Sequence, residues 1–522
     1  MYILAVIIII LGANDSAVFA IMQTPDYIKN IVEKLEQAGF EAYIVGGCVR
    51  DLLMARQPKD WDVTTNARPE KILEIFPDGK YKNDFGTVLV PVKPANGEAE
   101  DVVEVTTYRS EQGYSDRRHP DQVRFEDSLE KDLSRRDFTV NAMALRLITH
   151  NSQPVTQMRD KKSYELRDAS YELIDLFGGA KDLKKKVIRA VGEPEDRFKE
   201  DALRMMRAVR LACQLGFMLE PKTERGIVKM AGSIKFISGE RLRDELIKIL
   251  ETDKAYEGIM MLHEFKLLQY LMPELERGVG VAQNRHHIYT VFNHSVLSLK
   301  HTPSKKWQVK LASLLHDIAK PQTKRISSGQ EATFYNHDII GARVTEKIMR
   351  RLKFAGQDIE KVTSLVRNHM FYYNVGEVTE SSVRRLVRKV GEENLADLIA
   401  LRVADRLGSG VPKAKPYKLR HLEYMMEKVR HDAVSVKMLA INGDDLMKLL
   451  GIAPGPKIGA ILDVLLSEVI EDQKLNDQKY LETRSLELNK MDLKELREKA
   501  KEKIEEKKME DDEEIKKEFY VK

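Results

Sequence analysis

The sequence predicts an α+β protein: a small mixed head followed by a long, mostly α-helical remainder. Three observations predict it. Between residues 22 and 150 short apolar runs alternate with short amphipathic segments. Beyond about residue 190 strand signals almost vanish and helical periodicity dominates. The 522 residues also exceed one core, since domains run at roughly 150 residues.

The elements follow in chain order. Residues 2–11 are an apolar run with no Lys or Arg before it, too short to span a membrane comfortably. Residues 1–21 therefore read as a doubtful leader or a misassigned start, and Met22 opens an ordinary cytoplasmic chain. In a head spanning 22–190, residues 43–45, 60–64, 87–92 and 102–106 read as strands, with helices at 49–54 and 69–75. Residues 152–171 are polar and irregular, a surface insertion. A helical neck at 191–280 and a helical body at 281–411 follow, then a proline-flanked linker at 412–416. The tail, 412–522, ends in a stretch at 492–518 that is nearly all charge, a solvated helix or a disordered end.

Composition excludes little. Apolar residues make up 43% of the chain, enough for sizeable cores, and a net charge of +4 neither demands nor forbids a nucleic acid partner. Cys48 and Cys213 lack CxxC spacing and read as reduced, cytoplasmic thiols.

Chemistry at a nucleotide α-phosphate needs carboxylates for a divalent metal, backbone amides near the triphosphate and donors for the leaving pyrophosphate. Gly46-Gly47-Cys48-Val49-Arg50-Asp51 follows a strand and opens a helix, where bare backbone approaches phosphate and Arg50 contacts it. Ten residues on, Asp60-Trp61-Asp62 reads as part of a strand, so the two carboxylates share one face and repel unless a cation binds.

These segments resemble the class II tRNA nucleotidyltransferase and poly(A) polymerase family, a branch of the polymerase β superfamily. The resemblance rests on GGCVRDLLM, KDWDVTTNA, DFGTVLV, RRDFTVNAMA and EDALRMMRAVR, in order across about residues 40–250. It implies a polymerase β-like nucleotidyltransferase head, then neck, body and tail. It implies Mg²⁺ on Asp60 and Asp62, nucleotide contacts from Gly47 and Arg50, and ribose contacts from Arg136 and Asp137. Glu104 is a third carboxylate that activates the attacking hydroxyl. The implied partners are tRNA, ATP and CTP, with no membrane and a cytoplasmic location.

Glu200-Asp201-Ala202-Leu203-Arg204 carries base choice. Taken as i and i+3 on one helix, Asp201 accepts from the exocyclic amine of cytosine or adenine while Arg204 donates to ring acceptors. Uracil and guanine present a carbonyl where that amine should be. Arg207 and Arg210 continue the spacing toward phosphate. Residues 108–120 resemble the flexible loop that relatives need for adding A, which favours full CCA addition. The alternatives are poly(A) synthesis, partial CC- or A-addition, a phosphohydrolase whose head only binds nucleotide, and a non-catalytic tRNA-binding protein.

His294, His316-Asp317 and Asp405 resemble the HD phosphohydrolase pattern, and imidazoles with carboxylates from several helices make a divalent-metal site. His337 and His369 complete a second metal position. Ni²⁺, Mn²⁺ and Mg²⁺ are the candidate ions, and the site either hydrolyses phosphoesters or serves as a docking scaffold for tRNA. In the tail, residues 439–446 and 454–459 resemble the same enzymes, with a glycine turn that either meets RNA backbone or simply joins two helices. Two departures stand out: the long polar stretch at 152–171, and Leu176 where the family usually has proline.

Overall fold

The computed structural model describes residues 24–83, 86–93, 101–112, 122–147, 164–168, 171–283, 288–326, 332–371, 373–411, 414–431 and 439–521. The doubtful leader lies outside these residues, as does most of the loop at 108–120. Among the described residues, the main sheet and hairpin of the head use ten strands: β1 (Ala42–Val45), β2 (Asp62–Thr65), β3 (Lys80–Asn83), β4 (Thr87–Val92), β5 (Asp101–Thr107), β6 (Arg109–Gln112), β7 (Gln122–Phe125), β8 (Ala144–Leu147), β9 (Tyr164–Asp168) and β10 (Tyr171–Ile174). Eight of them form one sheet in the order β3-β4-β5-β2-β1-β8-β10-β9, while β6 and β7 form a separate hairpin. Within the sheet β2 and β5 are parallel and the other neighbours antiparallel.

The buried residues of β1, all four of them, and of β2 place these strands in the centre of the sheet, with helix Asp26–Gln37 and helix Gly47–Leu53 packed close by. Two expectations change here. The second strand begins at Asp62, and Asp60 sits in an exposed bend before it. The polar stretch at 152–171 is not irregular throughout, because residues 164–168 pair with β10 as an edge strand. An edge strand needs no apolar face on both sides, so its composition hid it.

Beyond the head, helices dominate. One apolar core runs from the head through the neck to residues 417–431, and a second begins at Leu439 and closes with Leu496. The charged C-terminal stretch is a helix, Leu493–Glu518, opened by a capping box between Asp492 and Glu495. Near its start Leu496 is buried in the tail core, and near its end Ile515, with Val521 just beyond it, is buried in the body core. Tyr424 and Lys428 both reach Asp512, fastening this helix to the body. Both cysteines are free and buried.

Candidate active site

The strand-to-helix turn after β1 is made by glycines for a steric reason. Gly46 has φ of 85°, and a Cβ there would stand 2.9 Å from Arg136 Nη1 and 3.5 Å from Asp62 Oδ2. The turn, the guanidinium and the carboxylate therefore meet at one point. Arg50, on the next turn, donates to Asp51 Oδ1 at 2.9 Å and to Asn141 Oδ1 at 2.7 Å.

The parallel register of β2 and β5 sets Asp62 opposite Glu104, so two carboxylates lie side by side on adjacent strands. Burial pushes the Asp62 carboxyl up to about 6; Glu104 and Asp60 push the same way, and Arg136 and Lys82 oppose them. Asp60 reaches this cluster from the bend, not from the strand. Lys82, on β3, pairs with Glu104. Asp62 and Glu104 in strand register, with Asp60 in the bend before β2, offer carboxylate oxygens of the kind a hard divalent cation takes.

Asp137 is tied to partners within the protein. Its Oδ2 accepts from Arg207 Nε at 2.7 Å, and its Oδ1 accepts from the Phe138 amide at 2.9 Å and Asn141 Nδ2 at 3.3 Å. Burial works against the charge, but Arg207 and Arg204 overcome it and the carboxyl falls to about 2. Asp137 thus holds Arg207 and Asn141, and Asn141 in turn holds Arg50. Arg210 donates to Glu245 at 3.0 Å. Arg207 and Arg210, expected to face phosphate, are each committed to a carboxylate in this structure.

Asp201 and Arg204 do not share a helix. Helix Pro194–Glu200 ends, Asp201 is extended at φ −142° and ψ 107°, and a new helix, Arg204–Leu215, begins. The cause is local: Asp201 Oδ1 accepts from the Leu203 amide at 3.0 Å, an Asx turn that competes with helical hydrogen bonding. Arg241, from helix Gly239–Leu250, donates to both Asp201 oxygens at 3.2 and 2.7 Å. Arg204 is buried, donating to Glu200 at 2.6 Å and to the Arg135 carbonyl at 3.1 Å. Sequence reasoning missed Lys82, Asp132, Asn141, Arg241 and Glu245. Arg241 with Glu245, and Asp132 with Arg136, carried a signal, each an i,i+4 pair of opposite charges.

The second cluster converges as six buried side chains. His294 Nε2 lies 3.0 Å from His316 Nε2, 3.1 Å from Asp317 Oδ2 and 3.3 Å from Asp405 Oδ1. The other Asp317 oxygen faces His337 Nε2 at 3.4 Å and His369 Nε2 at 3.8 Å. Asp317 therefore stands between two groups of imidazoles, one on each oxygen. The Nδ1 atoms of His316, His337 and His369 are tied to the carbonyls of Ser313, Phe334 and Val366 at 2.8, 2.7 and 2.6 Å. That fixes Nδ1 as the donor and leaves each Nε2 to face the cluster. Burial works against a charge on His316, but Asp317 and Asp405 raise its imidazole to about 10. His369, pushed down by burial and His316 to about 3, stays neutral. Lys320 Nζ sits 2.6 Å from Asp317 Oδ2. The donor set suits a borderline divalent metal.

Comparison with known proteins places the chain. The profile of the poly(A) polymerase head domain matches residues 42–189, that of an RNA- and SrmB-binding segment of polymerase A matches 216–278, and that of tRNA nucleotidyltransferase domain 2 matches 334–484. The A-adding tRNA nucleotidyltransferase of Deinococcus radiodurans is 35% identical over 353 residues, spanning 65% of this chain and 74% of that protein. The CCA-adding enzyme of Lactiplantibacillus plantarum is 32% identical over 449 residues, 85% of this chain and 92% of that protein. Among solved structures, the CCA-adding enzyme of Bacillus stearothermophilus in complex with CTP matches with a TM-score of 0.54 at 27% identity, covering 88% of this chain and 96% of that one. No helix among the described residues is long and apolar enough to cross a membrane. With an α+β head whose carboxylates meet a glycine turn, and with relatives aligned over most of its length, the chain belongs to the tRNA nucleotidyltransferase and poly(A) polymerase family.

Proposed function

We propose that this chain builds the CCA end of tRNA, transferring C, C and A from CTP and ATP to the 3′-hydroxyl and releasing pyrophosphate, without a nucleic acid template. The observation that carries the reading is the register pair Asp62–Glu104, with Asp60 beside it and Arg136 against Gly46. The named activities of the matched relatives support it. The substrates argue for a cytoplasmic protein.

Asp60 and Asp62, flanked by Glu104, would hold Mg²⁺, which neutralises charge at the α-phosphate and acidifies the attacking hydroxyl. Gly46 and Gly47 let backbone approach the triphosphate, and Arg136 supplies a cationic donor beside them for phosphate or ribose. Glu104, paired with Lys82, is the base for the hydroxyl. Asp201 accepts from the exocyclic amine of C or A, and Arg204 donates to the ring. A carboxylate oxygen has two lone pairs, so Asp201 takes that amine while Arg241 keeps its orientation.

A second reading, addition of A alone, is favoured by the Deinococcus relative. Incubating the protein with tRNA ending at the discriminator base, and with tRNA ending in CC, separates the two. Full CCA addition expects labelled CTP to be incorporated on the first substrate. Incorporation of A on the second and nothing on the first would establish the A-adding activity, and long A tracts would establish poly(A) synthesis.

The histidine cluster we read as a separate divalent-metal centre for phosphoester hydrolysis. The split of Asp317 between His294/His316 and His337/His369 supports room for two ions. Metal content of the purified protein, compared with His316→Ala, tests it: equal content in both would remove the assignment.

A further inference from the structure

Asp132 is a fully buried carboxylate for which the transfer chemistry has no direct use. It lies on helix Leu129–Ser134. Its Oδ1 accepts from Arg135 Nε at 3.0 Å and Nη2 at 2.7 Å. Its Oδ2 accepts from Arg136 Nη2 at 3.3 Å and from Thr64 Oγ1 at 3.5 Å. Burial opposes the charge, yet Arg135 and Arg136 hold the carboxyl below the usual range.

Its place in the sheet matters. Thr64 is opposite Thr106 on β2 and β5, one pair beyond Asp62 and Glu104 and on the same face. The single Thr64 hydroxyl proton is shared with the Thr106 carbonyl, at 3.1 Å the nearer acceptor. Asp132 is therefore seated about 7 Å along the strand from the carboxylates of the site. Arg136 spans the interval: Nη2 is on Asp132, while Nη1 lies at Gly46 next to Asp62 Oδ2. The Nε of Arg136 is buried with no hydrogen-bond partner among the described residues. One guanidinium thus has two carboxylates within reach, and Asp132 holds one end of it.

We propose that Asp132 is a positioning residue that holds Arg136 off Asp62, leaving the guanidinium for the nucleotide and the Asp62 carboxylate for a divalent cation. The proposal rests on the nucleotidyl-transfer reading above. Without the charge of Asp132, Arg136 turns to its remaining carboxylate neighbour and becomes an internal competitor for the cation site.

The test is Mn²⁺ titration of the protein, read by the electron paramagnetic resonance of free ion. A His316→Ala background removes the histidine cluster, and Asp62→Asn defines the signal that belongs to the head. Asp132→Asn keeps the shape and removes the charge, and its Mn²⁺ affinity in the head should fall about tenfold. Adding Arg136→Met should restore the affinity, because the competitor is gone, and Asp132→Glu should stay near wild type. An unchanged affinity in a folded Asp132→Asn variant, or no restoration in the double variant, overturns the proposal. Should Asp132→Asn not fold, Arg136→Met alone decides: its Mn²⁺ affinity should hold or rise, and a fall overturns the proposal. The Mg²⁺ half-saturation of nucleotide addition should rise with the Mn²⁺ constant while the rate at saturating Mg²⁺ recovers. A wild type that adds no nucleotide but shows the Mn²⁺ pattern would remove the transferase reading and keep Asp132 as the residue that aims Arg136.

Discussion

Replacing Arg241 with Met should relax nucleotide choice more than it slows transfer. Arg241 donates to the two Asp201 oxygens at 3.2 and 2.7 Å, and the two side chains are 24% and 15% exposed. Charge-assisted hydrogen bonds contribute about 1.5–3 kcal/mol each, and a buried pair that loses one partner costs about 3–5 kcal/mol. The pair is partly solvated, so a cost near the lower figure, about 2–3 kcal/mol, is expected after screening. Freed of its partner, Asp201 is no longer held where an exocyclic amine arrives. A site built to pair a polar group discriminates by on the order of 2–5 kcal/mol, and losing part of that is worth roughly 10- to 100-fold in selectivity. The assay is kcat/KM for single-nucleotide addition with CTP and with UTP on tRNA lacking its 3′ end. The CTP preference over UTP should shrink by that factor, with CTP addition itself reduced less. A uniform fall for both nucleotides, with the ratio intact, would refute the reasoning and reduce Arg241 to a brace of the neck.

Asp62→Asn and Asp60→Ala should each abolish C and A addition while tRNA binding persists, and a loss under about tenfold, roughly 1.4 kcal/mol of barrier, would remove the metal role. The same Asp62→Asn change should stabilise the metal-free protein. The folded-state pKa is raised to about 6, so ionising Asp62 costs stability above that pH and nothing below the unfolded value. Thermal melts in chelator at pH 8 should therefore favour the variant by up to about 3 kcal/mol, and the advantage should shrink as pH falls through about 6 and be largely gone near the unfolded value of 3.8. For the same reason, addition at sub-saturating Mg²⁺ should fall as pH drops through about 6, since a protonated Asp62 cannot ligate; a flat profile between pH 5 and 7 would contradict it. His316→Ala or Asp317→Ala should remove any Ni²⁺-, Mn²⁺- or Mg²⁺-dependent hydrolysis of 2′,3′-cyclic phosphates and leave nucleotide addition largely intact. An HD variant that is folded yet unable to add nucleotides would mean that the two centres are coupled.

Part of both candidate sites was legible in the sequence, where the signal is local. Gly46-Gly47 before a helix, two aspartates two residues apart, and the adjacent His316-Asp317 pair need only a few neighbouring positions to be recognised, whereas the other members of the histidine set are spread over residues 294–405. The α+β division was legible for the same reason, since periodicity is a property of a short window. Partnership was not. Asp62 meets Glu104 only because β2 and β5 run parallel in one register. Lys82 reaches that pair through a strand on the far side of β4. Asp132 and Arg136 look like an ordinary i,i+4 pair until Gly46 and Asp62 are found on the other side of the same guanidinium. Asp201 was misplaced on a helix because spacing alone cannot tell a continuous helix from one that an Asx turn interrupts, and Arg241 lies 40 residues away. Which residue types could do the chemistry was written in the chain itself. Which charge answers which was decided by tertiary packing, because an ion pair depends on distance through space and only the assembled sheet and helices set that distance.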